Sequence, residues 1–198
     1  MFFKNRIIKN IFHLAYSQYV SQIVRLVAFL FIARELSAEN YGNYIIVLAF
    51  VDFFTFLTFP GINKPITREG ARNLENLKEI LESKIGIRNF FLIFAFLSCN
   101  IFLLFTDYPV EVKKLIFILS FSIITQGVVI YLRIIFNVNE AFNFISFDFL
   151  LQSIFFSFIS VIFLLIGYTY DYLVYILLSS YLLSLFYNLY FSKRFVTV

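Results

Sequence analysis

Apolar residues gather in six long runs separated by short polar connections, at about 12–33, 41–60, 85–106, 115–136, 147–167 and 172–191. Each run holds about 20 residues, which at a helical rise of about 1.5 Å per residue crosses a hydrocarbon core about 30 Å thick. The connections are short and the runs do not alternate polar with apolar, so helices are the way to satisfy their backbone groups in lipid. The pattern predicts an all-α fold, a polytopic bundle of six transmembrane helices forming one unit over residues 1–198. One connection has a pattern of its own. Between Thr67 and Lys84, Leu74, Leu77 and Leu81 recur at helical spacing among Glu75, Lys78, Glu79 and Glu82. This predicts an amphipathic helix over about 73–84, capped by Asn73, which either lies at the membrane interface or simply spaces two spans. Pro60, Gly61 and Pro65 mark the turn leading into it.

Composition agrees with a chain dissolved in lipid: 61% of residues are apolar and only 14% charged, where a soluble domain carries about 25% charged. The net charge of +4 does not point to nucleic acid, because the basic residues sit between apolar runs rather than in a patch with exposed aromatics. They report topology instead. Lys4, Arg6, Lys9, Lys64, Arg68, Arg72, Lys78, Lys84, Arg88, Arg133, Lys193 and Arg194 fall on one side, and Arg34, Lys113 and Lys114 on the other. An excess of Lys and Arg marks the cytoplasmic face, so both termini are expected in the cytoplasm, with the chain in the cell (inner) membrane. The first run is too long for a signal peptide and lacks a small-residue cleavage site, so it reads as a retained helix. The single cysteine, Cys99, lies within a run and reads as a packing residue.

Chemistry in such a chain has to come from polar residues within the spans. At about 100° per residue, Gln18, Ser21, Gln22 and Arg25 share one face of the first helix, with Val20, Ile23 and Val27 opposite. Arg25 lies about 4 Å beyond the midpoint of its span, where an arginine costs roughly 2.5 to 3.5 kcal/mol on insertion scales, so it is expected to face the bundle interior. Asp52 in the second span supplies an opposite charge. Either the two line a solute pathway, or they neutralise each other as a pair that only fixes packing. Ser122, Gln126 and Arg133 align on the fourth span, where Arg133 is close enough to the membrane surface to meet phosphate head groups by snorkelling. Ser146, Ser153, Ser157, Ser160 and Gly167 form a small-residue face suited to close helix packing. Asp148 and Gln152 occupy a separate face of the same span, and Ser180, Ser184 and Asn188 add polar positions to the sixth.

The sequence has no H-E-x-x-H, no Cys or His ligand cluster, no Walker lysine loop, no G-x-G-x-x-G and no nucleophile elbow. It therefore predicts no catalytic residues, no metal and no cofactor. A polar-lined interior without catalytic equipment suits moving a solute rather than transforming it.

The stretch VRLVAFLFIARELSAENYGNYIIVLAFVDFFTFLTFPGINKPITREGAR resembles the N-terminal signature of the polysaccharide transporter (Wzx-type) flippases of the multidrug/oligosaccharidyl-lipid/polysaccharide exporter superfamily. Its carriers are Ile32-Ala33-Arg34-Glu35-Leu36 closing the first helix, Tyr41-Gly42 and Tyr44 opening the second, and Pro60-Gly61-Ile62 leading to Arg68; YLRIIFNVNEAFNFIS resembles the connection between the fourth and fifth helices. The resemblance implies a flippase for lipid-linked oligosaccharides of the polyprenyl pyrophosphate type. In such a protein a cationic cavity takes the anionic head group while the polyprenyl tail stays among the membrane lipids. It assigns substrate contact to Arg25, Arg133 and Arg68, joined by the neighbouring polar residues Gln18, Gln22 and Asp52. Family members have about twelve or more spans and work by rocking two lobes; this chain matches the N-terminal six-helix lobe, expected to act with a second lobe or another copy of itself. Two other readings stay open. One is a cation-coupled multidrug exporter with Asp52 as the coupling carboxylate, the other a non-transporting membrane subunit whose polar faces only pack.

Overall fold

The computed structural model describes residues 2–58, 61 and 63–196. Among the described residues seven α-helices follow one another: α1 (Phe2–Glu35), α2 (Ala38–Phe56), α3 (Asn63–Arg72), α4 (Leu77–Leu104), α5 (Val110–Val138), α6 (Phe142–Leu165) and α7 (Tyr170–Val196), with a 3₁₀ turn at Leu74–Asn76 before α4. There is no strand among the described residues. The fold is all-α, as the unbroken apolar runs require.

Five of these helices are long and apolar enough to cross a membrane: Phe12–Glu35, Leu74–Leu104, Val110–Val138, Phe142–Leu165 and Tyr170–Phe195. The expectation of six is corrected at α2. Its first turns carry Glu39, Asn40 and Asn43, Asp52 interrupts its apolar run, and the helix stops at Phe56. The part from Tyr44 onward is about 20 Å long, short of a core about 30 Å thick. Ser37 starts α2, its hydroxyl accepting the Asn40 N–H at 3.3 Å. Pro60 and Ile62 of the expected turn lie outside the described residues.

The expected amphipathic helix over about 73–84 is also corrected. Asn73 makes no side-chain cap, and Leu77 onward forms the opening turns of α4. The separate helix is instead α3. Leu77 and Leu81 do not lie in the interface; they are buried with Ile66, Tyr131, Ile134, Ile135 and Val138, fastening α3 and the start of α4 to the last turns of α5.

The main core lies further along the helices, where Ile32, Tyr44, Val47, Val51, Cys99, Leu103, Ile116, Leu119, Ile123, Phe156, Leu173 and Val174 close on one another. Cys99 is buried there, as a packing residue. Helix α5 is central, touching α2, α3, α4, α6 and α7, while α1 leans almost wholly on α6. Outside the core the surface is apolar, with Ile23, Leu26, Phe53, Phe90, Ile93, Phe117 and Phe158 all exposed. That is the surface expected where lipid is the solvent. Small residues set the closest approaches. Ser17, Ser21 and Ala28 of α1 are buried, as are Ser153, Ser157 and Ser160 of α6, and the Ser157 hydroxyl donates to the Val24 carbonyl at 3.3 Å. The serine face of α6 is thus a packing face. At Gly127 of α5 a methyl group would stand 2.1 Å from Leu92 Cδ2 of α4.

Candidate functional site

Helix α1 enters, α5 leaves, α6 enters and α7 leaves at one end of the bundle, and α3 packs against that end. There an open cavity of about 640 Å³ is lined by Leu14 and Gln18 of α1, Asn63, Lys64, Thr67 and Arg68 of α3, Ile130, Arg133 and Asn137 of α5, and Phe149 of α6, among others. Among the described residues, three cations and several neutral hydrogen-bonding groups line it, and no carboxylate does. Lys64 and Arg68 are exposed and one helical turn apart, so both lie on one face of α3.

Helix α3 keeps its place through Arg88 of α4. This guanidinium is 7% exposed, donates from Nη1 to Asn63 Oδ1 at 3.1 Å and lies 4.7 Å from the centroid of the Tyr131 ring. Tyr131 in turn donates to the Leu81 carbonyl. Arg88 therefore ties the first turn of α3, which carries Lys64, to both α4 and α5.

Behind the cavity wall stands a buried polar cluster. Asp148 of α6 is fully buried and receives Nε and Nη2 of Arg133 on Oδ2 at 3.1 and 2.7 Å. The Ser184 hydroxyl donates to its Oδ1 and the Asn188 amide to its Oδ2, both at 2.7 Å. Arg133 also stacks on Phe149, 4.4 Å from the ring centroid. Arg133 and Asp148 form an ion pair at 2.7 Å. Snorkelling to the head groups is therefore not what Arg133 does here: its charge is held inward by a carboxylate.

A second pocket, about 50 Å³, lies on the other side of Arg133, lined by Gln126, Val129, Ile130, Gln152, Tyr181 and Ser184. Gln152 joins it to the first helix, since Arg25 Nη2 donates to Gln152 Oε1 at 2.7 Å. Arg25 is half-buried and sits about 10 Å further along α1 than Gln18. The alternative of a buried Arg25–Asp52 pair is not the observed arrangement. Asp52 is exposed and beyond 4 Å from Arg25.

The six expected contact residues thus divide. Gln18, Arg68 and Arg133 line the large cavity, Arg25 reaches the smaller one through Gln152, and Gln22 and Asp52 are exposed and line neither. Charge counting treats Lys64 only as a topology marker, yet its four-residue spacing to Arg68 already places both on one face. Asn63, Thr67, Asn137 and Tyr181 have no sequence signal of their own. Asp148 with Gln152, and Ser184 with Asn188, do have one in their four-residue spacing, but not which helix each pair would face.

Membrane-length helices and an apolar outer surface are the marks of a multi-pass membrane protein, here with a cationic cavity at one end. A profile described as polysaccharide biosynthesis protein matches residues 7–198, and the chain belongs to that family, which includes the Wzx-type polysaccharide flippases. Its members are transporters rather than enzymes, and membership connects the chain to polysaccharide or oligosaccharide export. No curated protein and no solved structure matches the chain.

Proposed function

We propose that the protein is a flippase for lipid-linked oligosaccharides, and that the large cavity is the vestibule receiving the substrate's pyrophosphate. The observation that carries this reading is a cavity of about 640 Å³ lined by Lys64, Arg68 and Arg133 and by no carboxylate. Its volume falls within the range of about 300–1,000 Å³ typical of small-molecule sites, enough for a diphosphate and the sugar next to it. Gln18, Asn63, Thr67 and Asn137 are suited to sugar hydroxyls, while the exposed apolar helix faces leave the polyprenyl tail in lipid.

The vestibule lies at the end of the bundle richest in lysine and arginine, which supports the reading that this end, and both termini, face the cytoplasm of a cell-membrane protein. In this reading α2 packs within the lobe beside the five membrane-length helices. A second lobe, or another copy of the chain, forms the opposite wall. Arg25, held by Gln152, is the next cation the head group meets on its way across.

Magnitudes rank the cations. At about 4 Å an ion pair is worth roughly 1 kcal/mol in water and about 4 at an effective dielectric of 20. Among the described residues Lys64 and Arg68 have no ion-pair partner within 4 Å, whereas Arg133 is already matched by Asp148, so the first two supply most of the capture. The test is translocation of a fluorescent polyprenyl pyrophosphate oligosaccharide in proteoliposomes. Lys64→Gln with Arg68→Gln is expected to lower the rate at least tenfold, and Arg25→Ala to abolish it, with membrane insertion intact. Unchanged rates in both would remove the vestibule from the mechanism.

A further inference from the structure

We infer that Asp148 is an internal stand-in for the substrate's anion: it holds Arg133 while the vestibule is empty and gives it up to the diphosphate when substrate binds. This rests on the vestibule reading and specifies how that site is regulated.

The geometry has three parts. Arg133 borders both cavities, so its guanidinium lies between the vestibule and the inner pocket. Its side chain is 17% exposed, while Asp148 behind it is wholly buried. An anion entering the vestibule thus meets Arg133 first and does not meet Asp148. Secondly, the pair uses only part of the arginine. Nε and Nη2 both converge on the single oxygen Oδ2, and Nη1 has no hydrogen-bond partner among the described residues. A diphosphate has ample acceptors for the remaining donors, and arginine suits such two-pronged contacts.

Thirdly, Asp148 does not depend on Arg133 to stay satisfied. Ser184 serves Oδ1 and Asn188 serves Oδ2, both from α7 and both neutral. When Arg133 swings toward an incoming anion, each carboxylate oxygen keeps one donor. An ordinary structural pair, broken on one side, leaves a buried charge without a partner and is strongly destabilising. Here the break is cushioned on both sides, by substrate for Arg133 and by α7 for Asp148. The arrangement also answers a need of any carrier that returns empty. A bare guanidinium within the bundle would oppose that step, and Asp148 neutralises it.

The test uses the full chain in detergent micelles, with farnesyl diphosphate as the probe and affinity read by calorimetry at fixed ionic strength. Asp148→Asn keeps the side chain's shape and one acceptor oxygen, and turns the other into an N–H donor toward the Ser184 hydroxyl, which can rotate to accept it. It removes the competing charge, so it is expected to bind the probe at least fivefold more tightly than the wild type. In proteoliposomes the same variant should show a lower KM and a lower maximal rate. Ser184→Ala should act in the opposite sense, weakening binding at least twofold because Asp148 then relies more on Arg133. If Asp148→Asn does not fold, Ser184→Ala carries the test alone, and unchanged or tighter binding overturns the inference. Should Asp148→Asn bind equally or more weakly while Lys64→Gln with Arg68→Gln still loses affinity, the stand-in role falls and the vestibule remains. Should the wild type and all variants bind the probe indistinguishably, the vestibule reading falls and the inference with it.

Discussion

Replacing Arg88 with methionine separates the two things a buried arginine does. In the native protein its Nη1 donates to Asn63 Oδ1 at 3.1 Å, and its guanidinium lies 4.7 Å from the Tyr131 ring centroid. A hydrogen bond from a charged donor is worth about 1.5–3 kcal/mol, and a desolvated cation over an aromatic ring about 2. Against these stands the cost of burying the charge, several kcal/mol for a group only 7% exposed. Methionine keeps most of the packing volume and removes both sides of the balance, so the bundle as a whole should change by about 1 kcal/mol or less, a shift of roughly 2–4 °C in its thermal midpoint. The local effect is larger, because the balance does not cancel at α3. That helix loses its tether to α4, and 1.5–3 kcal/mol corresponds to roughly 10- to 150-fold in the population of its open form. Hydrogen exchange followed by mass spectrometry should show this acceleration in peptides covering 63–72, while peptides from the middle of α5 remain protected. Transport should fall together with α3, since Lys64 and Arg68 ride on it. Unchanged exchange at 63–72, or a collapse of the whole bundle, would refute the view that Arg88 chiefly positions the vestibule wall.

Two further predictions concern packing. Gly127→Ala places a methyl group 2.1 Å from Leu92 Cδ2, which should cost about 1–3 kcal/mol as overpacking, and Leu92→Ala in the same chain should recover part of that loss; additive single-variant costs in thermal unfolding would argue against a close α4–α5 contact there. Phe156 is 1% exposed and Phe158 66%, so Phe156→Ala should lose about 3–5 kcal/mol through the cavity it leaves, whereas Phe158→Ala, facing lipid, should stay within about 1 kcal/mol; equal costs would contradict the lipid-facing assignment of α6.

Much of the site is written in the chain only as one-dimensional spacing. Lys64 and Arg68 share a face because they are four residues apart, and the same holds for Asp148 with Gln152 and Ser184 with Asn188. Such spacing says which residues stand together on a helix but not what they face, since that depends on how each helix is rotated about its axis when it packs. Arg25 is the clearest instance. The nearest opposite charge within an apolar run is Asp52, yet the arginine bonds Gln152, 127 positions away, because α1 packs on α6 through small serines and scarcely touches α2.

By itself the sequence determined the solvent, the helices, the direction of the charge asymmetry and the family, because bilayer thickness sets a length that unbroken apolar runs either meet or miss. Even α2 falls short for reasons visible in its residues, its polar first turns and Asp52. Only the tertiary structure decided that Leu77 and Leu81 bury against α5 instead of lying in the interface, that Arg133 is held by Asp148 instead of by head groups, and that α3 turns Lys64 and Arg68 toward the same cavity. Those outcomes depend on contacts between helices far apart in the chain, where shape fit among small and branched side chains selects one rotation out of many that hydrophobicity alone would allow.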